Sequence, residues 1–307
     1  MLSKNQFAEA KQYIENNARL LDKALFRFEF HHGSPQAVID ILKTYQNKDG
    51  GFGKGLEPDL RITESSVLAT TVALQYMNEL SLSEPNTMIE RAITYLVSEI
   101  QQFPEDSYIK YYWYPAPIEL NQTPRAPWWS VEKYEPPEIE EWPNPSVEVI
   151  SYLLRYSQFV PHSLLIELLA DLQSYLKLVP ELTGFIYYKF LCFKRLMPHV
   201  SQEILKDIFA MLDRTFENTE LLDERKFEEI KIQWFITEKS SYLFQKYPEK
   251  ITKLIENEVK RMGDDGGSHP QWRWGKDELW KQVEKEWAGK CTHELLATLK
   301  NCRLINI

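Results

Sequence analysis

The sequence predicts an all-α protein built from helical hairpins, and three observations carry that prediction. Apolar residues recur at spacings of three and four through most of the 307-residue chain. Pro161, Pro180, Pro198 and Pro248 punctuate the second half at intervals close to those of successive antiparallel helices. Strand-like alternation is confined to a few residues near 107–113.

At 43% hydrophobic and 26% charged, the chain can bury a large core, and it reads as one domain over residues 1–307. A formal charge of −9, with no Lys/Arg tract, makes the field repel nucleic acid and anionic membranes. Cys192, Cys291 and Cys302 are an odd number at wide spacing, which fits a reducing compartment and no disulfide framework. No run of eighteen apolar residues and no apolar leader interrupts this reading, so the expectation is a cytoplasmic protein with no integral membrane segment.

Residues 3–29 read as one long amphipathic helix, with Phe7, Ala10, Tyr13, Ile14, Ala18, Leu21, Ala24 and Leu25 in register. His31-His32-Gly33-Ser34-Pro35 ends it, and adjacent histidines do not converge on one metal ion. The next stretch, residues 45–75, organises the reading. Gln46-Asn47-Lys48-Asp49-Gly50-Gly51-Phe52-Gly53 follows a short helical segment carrying Ala37, Ile39, Ile41 and Leu42. Gly50 and Gly51 supply positive-φ positions that let the helix stop and the chain reverse. Asp49 can hold the free amides of the turn, Gln46 can reach across it, and Phe52 packs back onto the hairpin. Beyond it, Thr63-Glu64-Ser65-Ser66 offers capping hydroxyls to a helix whose apolar face is Val67, Leu68, Val72, Ala73 and Leu74.

A further helix is predicted over residues 85–101. Residues 104–146 then leave helical periodicity, with nine prolines and, counting Phe103, ten aromatics. Structureless loops of that length are uncommon unless they serve a site, so this is read as an ordered flap. Its tryptophans, Trp113, Trp128, Trp129 and Trp142, either face a cavity or its rim, or pin the loop down. Asn144-Pro145-Ser146 opens another helix. Helices follow over 162–177, 180–197, 201–216, 223–246, the last with room for a break inside it, and 248–262, about a dozen in all, enough to close a ring. Trp272, Trp274, Trp280 and Trp287 crowd the segment after residue 263, which is not one plain helix.

The Gln46, Gly50 and Phe52 spacing resembles the glutamine-tryptophan repeat of terpenoid cyclases and protein prenyltransferase β subunits, with Phe52 in place of the tryptophan. A second copy is read at 262–268, where Met262 replaces the glutamine and Ser268 the aromatic. The resemblance implies an α/α toroid, here with an aromatic- and proline-rich insertion, and an isoprenoid or similar apolar ligand. Cys291 and His293 loosely resemble the thiol and imidazole zinc ligands of the prenyltransferases. Two apart on a helix, they point to different faces, and no metal or other cofactor is expected.

Diphosphate ionisation needs facing aspartate-rich motifs that hold Mg²⁺, and Asp264-Asp265 has no helical partner motif. Protonation-initiated cyclases instead need a neutral carboxylic acid over an apolar cavity, and their Asp-x-Asp-Asp motif is absent here. Glu57-Pro58-Asp59-Leu60-Arg61 offers substitute acids: Asp59 or Glu57 as the acid and Arg61 as the group orienting them. The same residues also read as a carboxylate-arginine pair pinning the turn to the next helix. Glu148 is either a first-turn charge or an inward acid. Expected ligand contacts are Trp113, Trp128, Trp129, Glu148, His269, Trp272 and Trp274. The alternatives are a toroidal polysaccharide lyase or glycosidase acting on a glycan, and a non-catalytic toroid that binds a peptide, lipid or protein.

Overall fold

In the computed structural model, residues 1–80, 87–130, 135–218, 222 and 230–305 are described, and twelve α-helices lie among them. In chain order the helices of the first half are α1 (Lys4–Asn17), α2 (Leu20–His31), α3 (Pro35–Tyr45), α4 (Val67–Glu79), α5 (Thr87–Ser98) and α6 (Pro143–Arg155). Then come α7 (His162–Leu178), α8 (Ile186–Leu196), α9 (Gln202–Asn218), α10 (Tyr242–Lys246), α11 (Pro248–Lys260) and α12 (Glu278–Asn301). One short antiparallel pair, β1 (Gln101–Gln102) with β2 (Tyr111–Tyr112), interrupts them, with Gln101 opposite Tyr112. The chain divides into two compact units, residues 1–42 with 220–307, and residues 43–219.

In the first unit, α1 opens on a capping box between Ser3 and Gln6. The single helix expected over 3–29 is in fact two. Ala18 leaves the helix at φ −72°, ψ 159° and Arg19 is extended before α2 begins. The break follows Asn16-Asn17, poor helix formers, and Asn17 turns its amide onto the Tyr13 carbonyl at 3.1 Å. Apolar spacing runs through the break because both helices face one core, so periodicity alone does not register it. Arg19 then closes on Asp22 at 2.9 Å. α12 packs on α1 and α2, and Gly289 in its middle stands where any Cβ would strike Ala18.

The second unit is centred on α6. Every residue from Val147 to Leu153 is buried, as in a helix enclosed on all sides, and α4, α5, α7 and α8 pack around it. Several boundaries differ from the expected ones. The helix predicted over 85–101 ends at Ser98, with residues 85–86 outside the described ones, and Gln101 and Gln102 pair as β1 instead. The helix predicted over 180–197 begins only at Ile186, because Gly184 sits in the left-handed region at φ +64° and the Thr183 carbonyl turns onto Lys189. In the first unit, the start of the helix predicted over 223–246 falls on residues 223–229, outside the described residues, and the rest is broken into a 3₁₀ turn at Ile232–Trp234 and short α10.

Candidate functional site

Of the two glycines expected at positive φ, Gly50 holds it, at +100°, and Gly51 does not; the turn closes through the following bonds. The Asn47 amide donates to the Gly51 carbonyl at 2.8 Å, the Gly50 amide to the Asn47 carbonyl at 3.2 Å, and the Gly51 amide to Asp49 Oδ1 at 3.0 Å. Gln46 Nε2 reaches across to the Gly50 carbonyl at 2.9 Å and on to the Met88 carbonyl of α5 at 3.0 Å. Phe52 is fully buried and its amide donates to Thr70 Oγ1 of α4 at 3.0 Å. Ser66 caps α4 by accepting from the Ala69 amide at 3.0 Å.

The same pattern recurs at 263–268 in the other unit. There the Gly263 amide donates to the Gly267 carbonyl at 2.8 Å, the Gly266 amide to the Gly263 carbonyl at 2.9 Å, and the Gly267 amide to Asp265 Oδ1 at 3.0 Å. The Ser268 amide donates to Thr292 Oγ1 of α12 at 2.8 Å, as Phe52 does to Thr70. Gly50 and Gly266 are both left-handed, at φ +100° and +84°. Gly50 lies against the Arg91 backbone of α5, and Gly266 against Glu9 and Ala10 of α1. Each turn therefore joins two helices and seats a third: α3, α4 and α5 in one copy, α11, α12 and α1 in the other.

Downstream of the first turn, every residue from Gly50 to Leu60 except Lys54 is buried. Glu57 and Asp59 are 7% and 1% exposed, so two carboxylates are withdrawn from water within one turn of chain. Gly55, left-handed at φ +74°, lies beside the Arg61 guanidinium. The flap covers this segment. The Ala126 amide donates to the Asp59 carbonyl at 2.9 Å and the Arg61 amide to the Pro124 carbonyl at 3.1 Å, so that Leu60 faces Arg125 in an antiparallel bridge. Trp129 Nε1 donates to Asp59 Oδ1 at 2.9 Å. Leu60, Ile62, Ala116 and Leu120 form a small core between the two, with Leu68 and Trp129 packed on it. Glu57, Asp59, Arg61 and Trp129 are thus gathered in one place, and Trp128, beside Trp129 in the chain, is 49% exposed.

Trp113 and Trp142 are placed otherwise. Both are buried with their indoles donating to backbone carbonyls, Trp113 to Leu96 at 2.7 Å and Trp142 to Tyr111 at 2.8 Å. Asp171 completes this frame, accepting the Lys110 and Tyr111 amides at 2.9 Å each. Burial pushes its carboxyl up, against the pull of those two bonds. Glu148 is an inward acid. It lies 6% exposed on α6, with Arg195 at 2.8 Å, Gln75 at 2.8 Å and the Tyr152 hydroxyl at 3.4 Å. The neighbouring Cys192 thiol is pushed far up by burial and then by Glu148.

His269, Trp272 and Trp274 belong to the unit of residues 1–42 and 220–307. Trp272 meets Trp287 at 5.4 Å, Trp234 at 5.7 Å and Trp274 at 6.0 Å between ring centroids, and Lys290 Nζ stands 4.7 Å over Trp287. His269 Nε2 bonds both oxygens of Asp265 at 3.0 and 3.1 Å, and its ring meets Tyr13 edge-on. The Lys231 ammonium braces the turn from beneath through Glu258 at 2.6 Å, the His269 carbonyl at 2.8 Å and Ser268 Oγ at 3.2 Å.

No family model, characterised protein or solved structure matches this chain. The site's residues therefore speak through geometry alone.

Among the described residues no three His, Cys, Asp or Glu side chains are grouped to hold a metal ion, and no helix is long and apolar enough to cross a membrane. Cys291 and His293 are both buried on α12, where burial pushes the thiol up and the imidazole down. Asp171, Lys189 and Lys231 escaped sequence reading although a signal existed. Each is a charge set in an apolar run, Leu-Ala-Asp-Leu, Tyr-Lys-Phe-Leu and Ile-Lys-Ile, at a position where the pattern calls for core.

Proposed function

We propose that this chain is an α/α toroid that receives an apolar, isoprenoid-like molecule against its acidic segment 57–61, beneath the flap. The toroid is supported by the two copies of the glycine turn, each seating a third helix, the second through α1. The bond from Trp129 to Asp59 carries the site assignment, because it ties the aromatic flap to a carboxylate withdrawn from water. Asp59 Oδ1 accepts an indole N–H and anchors the flap, and Glu57, 7% exposed and two residues away, is the candidate proton donor to a substrate double bond. Arg61 orients the pair, and aromatic faces stabilise the cation that protonation creates. The chemistry requires no metal and no cofactor.

A second reading, a glycan ligand, is favoured by Trp128, whose half-exposed ring, next in the chain to the Trp129 that bonds Asp59, resembles a sugar-stacking platform. Thermal shifts of the purified protein with farnesol, geranylgeraniol and neutral or acidic oligosaccharides separate the two. A polyprenol at about a hundred times its dissociation constant adds about 2.7 kcal/mol to stability, which a melting curve resolves. Stabilisation by oligosaccharides alone replaces the first reading with the second, and stabilisation by neither defeats both. Where turnover of a polyprenyl substrate is seen, Glu57→Gln is expected to abolish it with binding retained; unchanged turnover removes Glu57 from the chemistry.

A further inference from the structure

We infer that the cleft beside the second glycine turn binds a guanidinium group carried by a ligand, because the first turn covers the matching place with an arginine of its own. The two turns correspond residue for residue: Asn47, Lys48 and Gly50 match Gly263, Asp264 and Gly266. Each left-handed glycine rests on the backbone of another helix, Gly50 on Arg91 of α5 and Gly266 on Glu9 of α1, so Arg91 and Glu9 hold the same station. In the first copy the Arg91 guanidinium folds over the turn, and its Nη2 donates to the Asn47 carbonyl at 2.7 Å and to the Lys48 carbonyl at 3.0 Å. A second cation, Lys54, donates to the Thr44 and Gln46 carbonyls at 3.0 Å each.

The second copy has neither cation. Glu9 stands where Arg91 does, and Pro270, two residues beyond Ser268 as Lys54 is beyond Phe52, has no amine to offer. The residues those cations would cover line an open cleft of about 290 Å³ instead: Lys260, Met262, Gly263 and Asp264, which match Thr44, Gln46, Asn47 and Lys48, with Glu9 and Gly266 beside them. Among the described residues no donor reaches the carbonyl of Lys260, Met262 or Asp264, and that of Gly263 takes the Gly266 amide. These carbonyls follow the last turn of α11, at the negative end of its dipole. Lys260 opposes the carboxylates of Glu9 and Asp264, which leaves the lining net acidic. Glutamate is shorter than arginine, so there is room between its carboxylate and the turn. A guanidinium there repeats the Arg91 contacts on the Gly263 and Asp264 carbonyls with one nitrogen and keeps its other N–H groups for Glu9, a charge-assisted pairing.

Titrated into the intact protein, acetyl-Gly-Arg-Gly-amide should shift the backbone amide resonances of Asp264 and Gly266 saturably, and the neutral peptide with citrulline for arginine should bind at least about tenfold more weakly. Equal binding of the two peptides, or no saturable shift at these residues, overturns the site. Glu9→Arg supplies the guanidinium from α1 itself and should weaken the arginine peptide at least about tenfold with no fall in the urea midpoint. Unchanged affinity in that variant overturns the correspondence between the copies. Arg91→Ala makes the reverse change: it opens the matching place in the first turn, so the same peptide should then also shift the Asn47 and Lys48 amides. A first turn that stays silent counts against the inference in the same way. Agmatine distinguishes the source of the group. Binding as tight as the peptide's or tighter assigns the site to a small guanidinium compound, and weaker binding assigns it to an arginine side chain of a partner protein.

Discussion

Replacing Glu258 by leucine should cost the unit of residues 1–42 and 220–307 about 3–5 kcal/mol, read as a fall in the urea midpoint. Lys231 is 2% exposed and Glu258 1%, so removing the carboxylate leaves an ammonium in the interior facing, among the described residues, Ser268 Oγ and the His269 carbonyl. Water cannot rescue it, and the Ser268 hydroxyl loses its own acceptor, Glu258 Oε1 at 2.9 Å. Adding Lys231→Met should recover a large part of the loss. An apolar pair of similar volume removes the buried charge, while the Ser268 hydroxyl, parted from both Lys231 and Glu258, keeps the recovery incomplete. Arg261 does not prevent this, since at 26% exposure its side chain can turn to solvent.

The same pair sets a pH dependence. Burial pushes the Glu258 carboxyl up, but Lys231 and Arg261 outweigh it and hold the group below its ordinary value. A carboxyl whose folded value is depressed contributes stability that is complete above its unfolded value, about 4.3, and is lost as pH falls through the lower folded value. The stability difference between the parent and Glu258→Leu should therefore be constant from neutral pH down to the unfolded value and shrink in more acidic solution. A difference that grows on acidification contradicts the pairing.

Lys231 also illustrates what a sequence conceals. Helix existence was legible from apolar spacing, as α5, α7, α9 and α11 show, because the repeat of three and four reports burial directly. In the 46–53 turn the local bonds of Asp49 and Gln46 were legible, since they act within a few residues of themselves, whereas the expected positive φ of Gly51 and the bond from Gln46 to Met88 were not. Long-range pairing was not. Trp129 and Asp59 are seventy positions apart, and nothing local in either marks the other. Trp113 and Trp142 stood as equal candidates with Trp128 because composition does not say which indole finds a buried carbonyl. The break in α1 and α2 was hidden for the opposite reason: the signal that reveals a helix is continuous across two helices that share a core.

Gly50→Ala and Gly266→Ala should each cost about 2–6 kcal/mol, the sum of a left-handed penalty of about 1–3 and a steric one of similar size. Both residues hold positive φ, and both meet backbone: a Cβ on Gly50 would overlap the Arg91 carbonyl oxygen, and one on Gly266 would lie 2.5 Å from the Glu9 carbonyl carbon. Neither neighbour can give way without shifting α5 or α1. Gly55 separates the two penalties. It is also left-handed, at φ +74°, yet its nearest neighbour is Arg61 Nη1 at 3.2 Å, the end of a flexible side chain. Gly55→Ala should cost only about 1 kcal/mol. Paired urea melts of the three variants then measure what the turns do. A larger loss at positions 50 and 266 than at 55 means that each turn seats a helix through a bare α-carbon; three equal losses mean that backbone conformation alone selects these glycines.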